Sequence, residues 1–162
     1  MLFKWIRAVV ALPFNALVVI PAIIVWIWDR DIAFMGAGWV VAGGLLMALG
    51  LALAVWTMVL FHHKGKGTPA PWDPPKKLVV AGPYRHTRNP MLTSVFIMLF
   101  AEALATHSTA LVTWFFLFVI INLLYFMFFE EKELLKRFGE DYAKYKANVP
   151  RCIPRIKPWK DN

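Results

Sequence analysis

Three long apolar segments, separated by polar ones, set the pattern of hydrophobic and polar residues along the chain. They run from about residue 8 to 28, from 36 to 61 and from 91 to 129. The third contains 39 residues, and as one helix it would extend about 58 Å, nearly twice the hydrocarbon thickness of a bilayer. Its only polar stretch is Thr106-His107-Ser108-Thr109, which predicts a tight turn and a helical hairpin.

The pattern therefore predicts an all-α integral membrane protein that forms a single membrane domain, residues 1–162. The first apolar segment ends in Trp26 and Trp28, which are typical of a membrane interface. It is also too long for the core of a signal peptide. The four predicted transmembrane helices lie at about 8–28, 36–61, 91–106 and 109–129.

Composition and charge agree with this interpretation. Hydrophobic residues make up 59% of the chain and charged residues 17%, whereas soluble proteins average about a quarter charged. The net charge of +8 could indicate a nucleic-acid partner, but the basic residues flank apolar segments instead of forming a face. With four spans, all Lys and Arg residues except Arg30 fall on one side, which the positive-inside rule makes cytoplasmic, together with both termini.

The glycines of the second apolar segment and the two histidines that follow it each have two interpretations. Its glycines predict close helix packing, or space for a ligand tail against the backbone. His62 and His63 could bind a metal, but no Cys or carboxylate stands at ligand spacing nearby, so we expect interfacial histidines and no metal site. The lone Cys152 excludes an internal disulfide. The glycines concerned are Gly36, Gly38, Gly43, Gly44 and Gly50.

The polar parts of the chain are the loop 62–90 and the C-terminal segment 130–162. Prolines throughout the loop exclude a long helix there. The C-terminal segment predicts an amphipathic helix. It lies on the lipid headgroups, covers a site at the mouth of the hairpin, or does both, since the two arrangements are compatible. Its apolar face consists of Leu134, Leu135, Phe138, Tyr142 and Tyr145.

The predicted hairpin brings two polar clusters to the same side of the membrane. One is Gly82–Pro90, with the sequence GPYRHTRNP, and the other is Glu130-Glu131-Lys132-Glu133. Because the two arms of the hairpin have similar lengths, its two ends lie side by side. The loop and the C-terminal segment are therefore expected to form one site on the cytoplasmic face.

These two clusters carry a resemblance to a known family. GPYRHTRNPM, a hydrophobic hairpin and then EEKELLKRFGEDYAKYKANVPRCIP resemble the integral membrane methyltransferase superfamily. That superfamily includes isoprenylcysteine carboxyl methyltransferases and phospholipid N-methyltransferases. The resemblance covers residues 78–158 and includes the pattern FG-x2-Y-x2-Y-x3-VPR-x2-P. It implies methyl transfer from S-adenosylmethionine to a lipophilic acceptor, without the GxGxxG motif of a Rossmann domain.

The resemblance also implies a cofactor site. Arg85 and Arg88 suit the carboxylate of S-adenosylmethionine, and a glutamate at the membrane boundary suits its ammonium. Glu130 and Arg88 are the predicted catalytic residues. The residues predicted to bind the cofactor are Tyr84, Arg85, His86, Arg88, Asn89, Pro90, Met91, Leu92, Glu130 and Glu131.

The sequence does not identify the acceptor of the methyl group. The carboxyl methyltransferases of the superfamily carry RHPxYxG where this chain has residues 88–94 (RNPMLTS), and an arginine where it has residues 125–129 (YFMFF). The candidate acceptors are a prenylcysteine, a phospholipid amine and a small thiol. An NADPH-dependent enzyme similar to sterol reductases and a non-catalytic scaffold are further alternatives. Glu102 and Asn122 lie in the hairpin arms, where we expect the first to extend to the far interface and the second to contact another helix.

Overall fold

The computed structural model describes residues 10–28, 36–66 and 74–160. The predicted flanking cations Lys4 and Arg7, the turn at residues 29–31 and the loop residues 67–73 lie outside these ranges. Within them the chain is helical and contains no strand. Helix α1 comprises a π-helical part, Val10–Val19, and an α-helical part, Ile20–Trp28; α2 is Ala37–Leu60, α3 is Pro90–Thr106, α4 is Thr109–Tyr125 and α5 is Glu131–Asn148.

The hairpin turns at the residues that the sequence predicts. Helix α3 ends at Thr106, and His107 adopts the left-handed conformation with φ 50°. Ser108 then caps α4, because its hydroxyl accepts a hydrogen bond from the backbone N–H of Leu111 at 3.1 Å. This satisfies one of the unpaired N–H groups that every helix start exposes.

Two helical stretches are long and apolar enough to cross a membrane, Ala37–Gly65 and Thr109–Asn148. The apolar part of the second ends at Phe129, so we take the residues from Glu130 onward to lie outside the spanning segment. The apolar stretches Pro13–Trp28 and Pro90–Thr106 are shorter. Large apolar side chains such as Leu45, which is 68% exposed, cover the outer faces of α2 and α4, as expected of a surface that contacts lipid.

Helix α3 is the centre of the bundle. It packs along α2 and beside α4, and Val95, Met98 and Leu99 on α3 form the buried core with Ala54 on α2. Helix α1 lies against α4, where the indole N–H of Trp114 donates to the carbonyl of Ala16 at 3.3 Å.

Two of the four glycines in α2 explain how closely it approaches α3. A Cβ added at Gly43 would lie 2.8 Å from the Cβ of Ala105, and one added at Gly50 would lie 2.5 Å from Cγ of Met98. Both positions therefore need glycine, which confirms the predicted close packing there. At Gly36, which precedes α2, and at Gly38 and Gly44, no atom of the described residues lies within 4 Å of such a Cβ, so the described part of the chain shows no close packing there.

The C-terminal segment begins as a direct continuation of α4. The chain passes from α4 through one π-helical turn, Phe126–Glu130, into α5. Gly139 has φ 54° and ψ −127°, and this kinks α5 in its middle. Tyr142 and Tyr145 after the kink are buried with Val149, against Leu78, Val80 and Trp159. Leu135 is 46% exposed, so the predicted apolar face does not include it.

The neighbouring glycines Gly43 and Gly44 offer a matched test of this packing. Gly43→Ala is expected to lower stability by about 1–3 kcal/mol, because neither the Ala105 methyl nor the Ala101 carbonyl can rotate away. Gly44→Ala meets nothing and should be neutral or slightly stabilising, since alanine favours helix. Thermal unfolding of both variants in the same detergent checks this. Equal midpoints would contradict the close packing of α2 on α3.

Candidate active site

A cavity of about 610 Å³ lies where the ends of the helices meet the loop and the C-terminal segment. Its deeper walls are apolar and come from α1, α2, α3 and α4, for example Leu17, Met58 and Phe118. Its mouth is polar and charged. The polar and aromatic residues of the mouth are Lys77, Tyr84, Arg88, Asn89, Glu130, Glu133, Arg137, Tyr142 and Tyr145.

The start of α3 forms one side of the mouth. Pro90 occupies the first helical position, where its missing N–H costs nothing. Asn89 caps the helix, since its Oδ1 accepts a hydrogen bond from the backbone N–H of Leu92 at 3.1 Å. Gly82 begins the preceding 3-10 turn with φ 54°, and a Cβ there would lie 3.0 Å from Cδ1 of Leu60. The backbone of the loop is thus held closely against the end of α2.

Glu131 lies at the centre of four charged residues. Its Oε1 accepts from Nη1 of Arg88 at 2.9 Å and from Nε of Arg151 at 2.7 Å, and its Oε2 is 2.7 Å from Nζ of Lys146. We call these four residues the Glu131 cluster. The Glu131 side chain is only 4% exposed. Burial opposes its ionisation, but the hydrogen bonds from Lys146 and Arg151 and the charge of Arg88 outweigh this and lower the pKa of Glu131.

Arg88 belongs to the Glu131 cluster and also lines the cavity. Its side chain is 7% exposed, and its guanidinium lies 6.0 Å from the ring centroid of Phe126. Nη1 is 2.9 Å from Glu131 and 3.4 Å from the hydroxyl of Tyr142. Nε is buried and has no hydrogen-bond partner among the described residues. A buried unpaired N–H of a charged group is costly, and Arg88, a residue of the mouth, retains one such donor.

Glu130 points to a different environment from Glu131. Successive helical residues differ by about 100° around the axis, and Glu130 lines the cavity whereas Glu131 does not. Burial, with the neighbouring carboxylates of Glu133 and Glu131, raises the pKa of Glu130 to about 7. No described cation forms an ion pair with it. Glu130 can therefore gain or lose a proton near neutral pH.

The C-terminal segment covers the loop from outside. The backbone N–H of Arg88 donates to the carbonyl of Pro150 at 3.0 Å, and the hydroxyl of Thr87 donates to the carbonyl of Arg151 at 2.8 Å. The hydroxyl of Tyr145 donates to the carbonyl of Tyr84 at 2.6 Å. Burial raises the pKa of both tyrosines, so they remain neutral phenols. The segment thus packs on the loop, and its residues Phe138, Tyr142 and Tyr145 also line the cavity.

The structure brings together part of the predicted site. Six of the predicted residues line the cavity, and the other four lie elsewhere. Arg85 is exposed on the outer surface, and Pro90 is buried within the helix start. His86 contacts the C-terminal segment, with its Nδ1 2.7 Å from the carbonyl of Arg155. Glu131 binds cations of the protein itself. The six in the cavity are Tyr84, Arg88, Asn89, Met91, Leu92 and Glu130.

Several residues of the cavity were not in the predicted set. Arg137, Phe138, Tyr142 and Tyr145 come from α5. The spacing of the aromatic residues on one face was the sequence signal for the last three, and no such signal indicated Arg137. Asn122 also lines the cavity, and its amide donates to the carbonyl of Phe118 in its own helix at 2.8 Å. Glu102 lies outside the cavity, and its Oε2 is buried without a described partner.

Loss of the charge at Glu131 should release the C-terminal segment. Glu131→Gln leaves three cations without their carboxylate, and breaking a buried ion pair costs about 3–5 kcal/mol. Because the folded pKa of Glu131 is lowered, its stabilisation is present above the unfolded pKa and is lost as pH falls through the folded value. Limited proteolysis should cut Glu131→Gln after residue 148 faster than wild type. Glu140→Gln, at an exposed position, is the control, and equal cleavage of the two would refute this role.

Comparison with known protein families identifies one match. Residues 39–141, more than half of the chain, match the phospholipid methyltransferase family. The matched part includes most of α2, the loop, the hairpin and the first part of α5, so it contains Arg88, Glu130 and Glu131. No curated protein and no solved structure matches the chain. This chain belongs to the phospholipid methyltransferase family, as the resemblance in its sequence implies.

Proposed function

We propose that this protein transfers a methyl group from S-adenosylmethionine to the amine of a phospholipid headgroup at the cytoplasmic face of a membrane. The observation that carries the proposal is the cavity. Its mouth contains a buried arginine with an unpaired N–H and a glutamate that titrates near neutral pH, and its deeper walls are apolar. Its volume of about 610 Å³ lies in the usual range for small-molecule sites.

The residues of the mouth fit the cofactor. The unpaired Nε of Arg88 suits the carboxylate of its amino-acid part, and the carboxylate of Glu133 suits its ammonium. Tyr84 and Phe126 add aromatic faces for the adenine or the sulfonium. When bound, S-adenosylmethionine supplies a methyl group on a positively charged sulfur that becomes a neutral thioether.

Glu130 supplies the proton acceptor that an amine needs. An ammonium has no lone pair, so it must lose a proton before its nitrogen can form the new N–C bond. Glu130, with a pKa of about 7, can take that proton at neutral pH. Lys77 and Arg137, at the same mouth, suit the phosphate of the headgroup. The apolar walls suit the start of the lipid tails.

The same two cations also suit a carboxylate, so methyl transfer to a prenylcysteine carboxylate is the second candidate. A carboxylate acceptor is already ionised and does not need Glu130 as a base. Whether the reaction needs Glu130 as a base therefore separates the two candidates.

We further propose that all four apolar helices span the membrane with both termini in the cytoplasm. Helix α3 contains 17 residues and is about 26 Å long, which is close to the hydrocarbon thickness. The mouth of the cavity lies at the end of the hairpin opposite to Ser108, on the side where the basic residues of the loop and the tail collect. That side is cytoplasmic under the positive-inside rule, and the cofactor is available there.

Binding of the reaction product S-adenosylhomocysteine tests the cofactor site. Arg88→Lys keeps a positive charge beside Glu131 but removes the unpaired Nε donor. We expect the affinity to fall by about tenfold, the value of one charge-assisted hydrogen bond. Arg151→Lys changes the other arginine on Oε1 of Glu131 without touching the cavity, so it is the matched control and should stay within about twofold. Calorimetry measures both.

No binding of S-adenosylhomocysteine by wild type at millimolar concentration would refute the proposal. Binding of NADPH in its place would favour the reductase alternative, and binding of neither would favour a scaffold.

Replacement of Glu130 tests its role as the base. Glu130→Gln is expected to lower kcat for a phospholipid amine by about a hundredfold or more. In wild type the rate should fall as pH drops below about 7, because protonated Glu130 cannot accept a proton, and the variant should lose this dependence. Rates measured between pH 5.5 and 9 with labelled methyl donor check both statements. Unchanged kcat with retained pH dependence would exclude Glu130 as the base, and failure of wild type to methylate any phospholipid amine would favour a carboxylate acceptor.

A further inference from the structure

A second depression, of about 680 Å³, lies on the outer side of the loop. We infer that it is a separate binding site for the phosphate of an anionic phospholipid headgroup. Its floor is apolar and comes from residues 78–80 of the loop, and Trp159 forms one side. Three cations surround it, Lys64, Arg85 and Lys160.

The frame of this depression is fixed by the fold. The backbone N–H of Trp159 donates to the carbonyl of Arg85 at 3.0 Å, and the Trp159 ring lies 5.9 Å from that of Tyr145. Val79 is buried, and its Cγ2 lies 3.1 Å from the point where a Cβ on Gly65 would be. Tertiary contacts, and not chance proximity in sequence, therefore bring Arg85 and Lys160 together.

The electrostatics of the depression favour an anion. Three cations from distant parts of the chain converge there, and Asp141 is the one acidic residue among those that line it. Within the described ranges, none of the three cations forms an ion pair. Like charges held together repel each other unless an anion compensates them. A phosphate, which accepts several charge-assisted hydrogen bonds, suits two or three converging cations.

The position of the depression indicates which phosphate reaches it. Lys64 lies in the π-helical turn Phe61–Gly65 that follows the apolar helix α2, and Arg85 precedes α3 by a few residues. Both therefore lie where the apolar segments end, which is the level of the headgroups, and a tryptophan beside them is typical of that level. Inorganic phosphate has the same charged oxygens as the headgroup but lacks the acyl chains that hold a phospholipid at this level. The depression shares only Leu78 and Val79 with the catalytic cavity, so this site is distinct from the proposed one and does not depend on methyl transfer.

Native mass spectrometry of the full-length protein in detergent, with equal amounts of dioleoyl phosphatidylglycerol and dioleoyl phosphatidylcholine, tests this site. Wild type should retain the anionic lipid preferentially. The double variant Arg85→Gln with Lys160→Gln should weaken binding of the anionic lipid by about tenfold or more. Each basic residue near a headgroup contributes about fivefold in affinity. Neither side chain supports the fold through a hydrogen bond between described residues, so the double variant should remain folded.

Lys132→Gln with Lys136→Gln is the matched control, because it removes the same charge from exposed positions of α5 outside both cavities. Equal losses in the two double variants, or no preference for the anionic lipid in wild type, would overturn the inference. The double variant Arg85→Lys with Lys160→Arg keeps both positive charges and should bind the anionic lipid as wild type does. Inorganic phosphate that displaces the lipid would make free phosphate a second source of the ligand, and failure to displace it would leave the lipid as the source.

Discussion

The buried carboxylate of Glu131 is the interaction on which the arrangement of the site depends. It compensates Arg88 from the loop, Lys146 from α5 and Arg151 from the tail, at distances of 2.7 to 2.9 Å. Three separate segments are thereby held together at one point. A buried charge is tolerated only when it is paired and hydrogen-bonded, so the loop and the tail must both dock before the site is complete. The same carboxylate holds Arg88 where its Nε stays unpaired beside the cavity.

Two adjacent glutamates have opposite environments because they lie on a helix. Glu131 faces cations, which lower its pKa, and Glu130 faces the cavity, where burial raises its pKa to about 7. One residue of sequence separation corresponds to about 100° of rotation. Since the π-helical turn Phe126–Glu130 joins α5 rigidly to α4, the hairpin itself sets this orientation. One glutamate therefore lines the cavity while its neighbour binds cations of the protein itself.

The packing of α2 on α3 determines where the cavity can form. Gly43 and Gly50 allow the two helices to approach closely, and this places the end of α2 beside the start of α3. Residues 78–79 of the loop then separate the apolar cavity from the cationic depression outside. A lipid phosphate on one side of this segment and a methyl-transfer site on the other would both contact the same short piece of chain.

The sequence by itself determined the helical class, the turn at residues 106–109 and the meeting of two polar clusters, because hydrophobic length and a lone polar stretch are local properties. Its motifs also determined the family. Only the tertiary structure separated the ten predicted site residues, since a side chain's direction depends on the helix that carries it and on what packs against it. Arg85 points outward while Arg88, three residues later, lines the cavity. Likewise, no local pattern indicates that Lys146 and Arg151 compensate Glu131, because their convergence results from the folding of the tail over the loop.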